Sequence, residues 1–142
     1  MSIKAQELRI GNFVKGIYIG EDSIDEIEIL CKVDGVCDNG MFDWPIVLQP
    51  LLNAYYDITE YERVEGIPIT EEWLLRFGWG RSDEHELCDN SNYIIFIWDH
   101  HFKKMYIDTD SDLTYLPHIK YIHQLQNLIH ALTGKELELK DK

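Results

Sequence analysis

Basic residues are scarce in this chain: 13 Lys and Arg stand against 26 Asp and Glu, a formal charge of −13. Nucleic-acid binding depends on neutralising phosphates with Lys and Arg. The balance therefore argues against DNA or RNA, and favours solubility and basic partners. Long apolar runs are missing as well. The most apolar, Tyr93 to Trp98, holds six residues, against the roughly 20 that span a bilayer, so no membrane partner is expected. The opening Met1–Glu7 has no apolar stretch of the kind secretion requires. Cysteine is limited to Cys31, Cys37 and Cys88. An odd count without an export signal points to reduced thiols in a cytosol. Cys31 and Cys37 lack the second pair that a zinc ribbon needs, and read as small apolar residues. No Ser/Gly-rich linker, low-complexity tract or internal repeat interrupts the sequence.

What is present is core material. The 142 residues are 45% hydrophobic and include 4 Trp, 8 Tyr and 5 Phe. A chain of about 150 residues hides roughly 70% of its unfolded surface, so one domain over 1–142 is expected. A β-rich lobe over 1–66 and an α+β lobe over 67–142 form its natural sub-division.

The expected fold class is α+β. Glu7–Val14, Ile17–Ile19 and Ile27–Val33 alternate apolar and polar residues, which predicts short strands. The turn signals Gly11-Asn12, Asp34-Gly35 and Asp38-Asn39-Gly40 punctuate them. Together they imply a small twisted antiparallel sheet or partial barrel. Pro45 and Pro50 rule out a regular central strand over 44–52, and 57–64 reads as a further strand. Ile67–Gly78 predicts a short helix with both ends marked: Thr70 caps it, Glu71 and Glu72 suit its dipole, and Gly78 stops it. Trp73, Leu74 and Phe77 would share its buried face. Tyr93–Trp98 and Phe102–Ile107 predict a hairpin around Asp99-His100-His101, with another strand at 113–116. The apolar positions 119, 122, 125, 128, 129 and 132 predict a helix over Ile119–Leu132, closed by Thr133-Gly134. Residues 136–139 read as an edge strand.

Three segments carry a resemblance: Ala5–Asn12, Pro68–Gly78, and Tyr121–Leu128 running on to Ala131–Leu137. They are similar to a widespread family of small uncharacterised proteins from gut bacteria, their phages and mobile elements. The segments cover about a quarter of the chain, and residues 35–61 stand apart from them. The resemblance implies an accessory protein acting in a bacterial cytosol. It carries over no catalytic residue.

Little chemistry is written in motifs. Asp108-x-Asp110-x-Asp112 opens like a calcium loop, but Leu113 and Ile119 occupy the positions that need glycine and glutamate. With neither a nucleophile motif nor a glycine-rich phosphate loop, no catalytic residue, metal or cofactor is assigned. Two groups of residues remain as candidate binding positions. The cationic one is His100, His101, Lys103 and Lys104, supplemented by Arg76 and Arg81. A polar stripe, His123, Gln126 and His130, runs beside the apolar face of the last helix. Trp44, Tyr55, Tyr56, Tyr61 and Trp79 form either an aromatic contact surface or core filling. The expected role is a non-enzymatic accessory protein that binds a host protein. The alternatives are a binder of a small anionic ligand of the nucleotide type, and an assembly component forming a homo-oligomer.

Overall fold

In the first sheet, the period of two resolves into β1 (Phe13–Ile19) and β2 (Glu26–Val36), antiparallel from Phe13↔Lys32 to Ile19↔Glu26. β3 (Ile46–Pro50) pairs with β2 and β4 (Arg63–Glu65) with β1, giving the order β3-β2-β1-β4. This computed structural model describes residues 3, 7–19, 26–36, 46–51, 62–82, 84–89, 94–109 and 112–140. The chain divides into two compact units, Met1–Ile67 and Pro68–Lys142, each built on its own open sheet.

One face of the first sheet carries Val14, Cys31, Val33, Leu48 and Val64, packed with Leu8 and Ile46. Gly16 lies on that face. A β-carbon there would stand 3.0 Å from Leu48 Cδ1 and 3.5 Å from Cys31 Sγ, so a side chain at this position requires Leu48 to give by a few tenths of an ångström. The Cys31 thiol donates to the Ile29 carbonyl at 3.3 Å, and burial pushes its pKa up to about 11. On the other face, Arg63 reaches across β1. Its Nη1 and Nη2 donate to the two carboxylate oxygens of Glu26 at 2.7 and 2.8 Å. Its Nε donates to Glu65 at 2.8 Å. Ile17, which pairs with Arg63 on one side and Glu28 on the other, is fully buried on this face.

The strand read at 7–14 begins only at Phe13, because Gly11 turns the chain with φ +100°. The turn is held by the buried Asn12, whose Oδ1 accepts from Arg9 N at 2.7 Å. The proline-flanked segment contributes an edge strand, and Pro50 ends it, where a missing N–H is tolerated. The strand read at 57–64 is Arg63–Glu65; residues 57–61 lie outside those described.

The second unit opens with α1 (Glu71–Arg76). The Thr70 side chain accepts from Trp73 N at 3.3 Å, and Trp73, Leu74 and Phe77 are buried as the spacing predicts. The five-stranded sheet follows: β5 (Gly80–Arg81), β6 (Glu86–Asp89), β7 (Ile95–Asp99), β8 (Lys104–Thr109) and β9 (Asp112–Tyr115), neighbours in that order. Leu87, Phe96, Trp98 and Met105 point to one face, each no more than 2% exposed. With α1, the inward stripe of α2 (Ile122–Thr133), and Ile69, Phe77 and Trp79, they supply this unit's buried apolar residues.

The last helix starts three residues later than the apolar pattern suggests. Lys120 O accepts from Ile69 N and Tyr121 bridges to Pro68, which holds these residues extended. Gln124 Oε1 then accepts from Lys120 N and Tyr121 N, at 2.8 and 3.0 Å. Gly134, with φ +74°, closes the helix. Residues 135–140 form no strand; Lys140 N instead donates to Arg76 O at 2.6 Å. Among the described residues, no helix is long and apolar enough to cross a membrane.

Candidate functional site

Strand alternation places every second side chain of the second sheet on the face away from Phe96 and Trp98. Read across the strands, one row is Gly80, Cys88, Ile97, Tyr106 and Tyr115. A second is Ile95, Asp108 and Leu113, and a third is Glu86, Asp99 and Lys104. Its centre is half-buried, but Leu113 is 62% and Tyr115 44% exposed. Tyr106 and Tyr115 meet with ring centroids 5.5 Å apart, and Lys104 Nζ stands 5.2 Å from the Tyr115 ring centroid. β9 is an edge strand, exposed at all four positions and free of proline and lysine.

At one end of this sheet lies the β7–β8 turn, residues 100–103. Asp99 Oδ1 accepts from His101 N at 2.9 Å and Phe102 N at 3.1 Å, which folds the turn back on itself. Lys103 completes it with φ +56°, a conformation side-chain-bearing residues seldom adopt. His100 N donates to His85 O at 2.8 Å, tying the turn to the residues before β6. His100 Nε2 lies 2.7 Å from Glu84 O, a bond that requires its hydrogen on that nitrogen. The His85 ring consequently sits 5.9 Å from that of His100 and 5.3 Å from that of His101. Phe102, 66% exposed, packs edge-on against His101 at 4.7 Å. Lys103 Nζ lies 5.9 Å from the Trp98 ring, and Lys104 Nζ 5.9 Å from the Phe102 ring.

The structure thus brings His100, His101, Lys103 and Lys104 together, and adds His85 and Phe102. Register is the signal that finds His85: with Glu86 opposite Asp99, the next pair outward is His85 and His100. Arg76 and Arg81 are engaged elsewhere. Arg81 pairs with Glu71, and Arg76 lies 4.7 Å over the Trp73 ring.

The polar stripe of α2 is corrected. His123 is 2% exposed and Gln126 fully buried, so both belong to the inward face; Leu132, read as apolar lining, is 45% exposed. His130 stays at the surface, 3.8 Å from Glu136. Of the two readings open for Trp79, the structure takes core filling, since it is 3% exposed. Trp44, Tyr55, Tyr56 and Tyr61 lie outside the described residues. Cys31 is buried and Cys88 half-buried, and both are free thiols; Cys37 is not among the described residues. No group of three His, Cys, Asp or Glu among the described residues is arranged to hold a metal ion.

Compared with family models, with curated proteins and with solved structures, the chain finds no match.

Proposed function

We propose that the protein is a non-enzymatic binding protein whose second sheet docks a basic, extended segment of a protein partner. In the setting the resemblance implies, it is a phage or mobile-element accessory protein, and the partner is a host protein of the bacterial cytosol. The observation that carries the reading is the outer face at β9. There Tyr106, Leu113 and Tyr115 lie beside a strand edge with no neighbour among the described strands. An added strand satisfies such an edge through backbone hydrogen bonds, while side-chain alternation supplies selectivity. Tyrosine contributes a large apolar body with a polar tip, the composition enriched in interface cores. Charge selects the partner's sign: Asp112 lies on the edge strand and Asp108 stands opposite Leu113 in β8, and the whole chain carries −13. Long-range attraction of that kind raises the association rate and is screened by salt.

The test is affinity capture from bacterial lysate with wild type, Tyr115→Glu and Leu132→Glu in parallel. The expected partner is retained at about 50 mM salt, weakened sharply at about 500 mM, lost with Tyr115→Glu, and kept with Leu132→Glu. Equal retention by all three proteins, or indifference to salt, sinks the proposal.

A further inference from the structure

The turn that ends the sheet carries chemistry the docking face does not use. All six histidines of the chain fall in residues 68–142. Three of them, His85, His100 and His101, converge from two loops with ring centroids 5.3 and 5.9 Å from His85. Imidazole is the side chain whose charge changes between pH 5 and 8. The turn also carries two ammonium groups, Lys103 over the Trp98 ring and Lys104 over the Phe102 ring. Acids lie close by: Glu84, Glu86 and Asp99 belong to the same loops and strand ends, and Asp83 adjoins them in sequence. One carboxylate is committed, since Asp99 Oδ1 accepts two backbone N–H groups. Geometry is held without a ligand by the bonds from His100 to His85 O and Glu84 O. Phe102 then offers an exposed ring beside His101.

We infer that His85, His100, His101 and Lys103 form a proton-linked site for a phosphate-type dianion, with Phe102 as a platform for an attached aromatic base. The ligand class is a nucleoside monophosphate. The anion stabilises the charged imidazoles, so binding takes up protons and strengthens as pH falls. This site is independent of the docking face, and either reading can fail without the other.

Sulfate separates the protein's protonation from the ligand's, because its charge is constant between pH 6 and 8. Titration of the full chain, followed by imidazole NMR signals and calorimetry, should give about tenfold tighter sulfate binding at pH 6 than at pH 8. The double variant His85→Gln/His101→Gln should lose about tenfold at pH 6 and keep its amide spectrum elsewhere. Adenosine monophosphate should bind about tenfold better than ribose 5-phosphate, a preference removed by Phe102→Ala. Binding of sulfate that is indifferent to pH, or retained in the double variant, means an adventitious ion only and overturns the site. Equal affinity for the two phosphate esters in wild type overturns the aromatic platform.

Discussion

The two sheets cover their outer faces with different materials. In the first, Arg63 spans β1 to hold Glu26 through both carboxylate oxygens, and holds Glu65 beside it, while Lys15 stands 3.7 Å from Glu28. In the second, Ile95, Ile97, Tyr106, Leu113 and Tyr115 share the corresponding rows with Glu86, Asp99, Lys104 and Asp108. Charges already paired within a sheet have spent much of their attraction, and a partner must compete with them. Tyr115, at the exposed edge of the second sheet, meets the Tyr106 ring and the Lys104 ammonium yet stays 44% exposed. Residues 1–67 carry 13 acids, 5 bases and no histidine; residues 68–142 carry 13 acids, 8 bases and all six. The first unit is thus more negative, −8 against −5, yet Glu26, Glu28 and Glu65 of its described acids pair with Arg63 or Lys15. The less acidic unit holds the proposed docking edge.

Three substitutions probe that contrast. Phe96→Ala empties the largest fully buried position of the second unit and should cost about 3–5 kcal/mol. Residue-resolved amide exchange should show the greater loss of protection in β6–β9; an equal loss in β1–β3 would erase the distinction between the units. Gly16→Ala presses a methyl group onto Leu48 and Cys31 and should cost about 1–3 kcal/mol. Its urea midpoint should recover in part when Leu48→Val is added, because the nearest atom is Leu48 Cδ1.

Arg63→Met gives the smallest effect, and pH reveals it. Hydrogen bonds from Arg63 hold the Glu26 and Glu65 carboxyls below the usual carboxylate range. A depressed folded value contributes stability above the unfolded value, near 4.3, and that stability is lost as pH falls through the folded value. Wild type should therefore lose more of its urea midpoint between pH 7 and pH 3 than Arg63→Met does. Identical pH profiles would show that this exposed network contributes nothing.

Much of the fold was legible because period and punctuation are local. Thr70, Gly78 and the Trp73–Leu74–Phe77 face placed α1, and alternation with turn residues placed β2, β7 and β8, whereas β1 joins the end of the strand expected at 7–14 to the one expected at 17–19. What misled was the choice of stripe on α2. Leu128 and Leu132 are as apolar as Leu125, and composition cannot tell that the helix rolls toward His123 and Gln126. Nor can it tell that Lys120 and Tyr121 are held extended by Ile69 and Pro68, some fifty residues earlier. The site was half legible for the same reason. His100, His101, Lys103 and Lys104 are adjacent in sequence, whereas His85 arrives through strand register, which only pairing determines.

The segment after α2 gives α1 an unexpected standing. A helix of six residues lies well below the length at which isolated helices persist in water. Thr70 closes its front, but the Arg76 carbonyl at its rear is met by Lys140 N, and Lys140 Cγ lies 3.0 Å from where a Gly78 side chain would begin. Closing a contact across more than sixty residues carries a loop-entropy cost that no local turn does. The most legible helix in the sequence is thus among the most non-local in assembly: its rear end is completed only when the far end of the chain arrives.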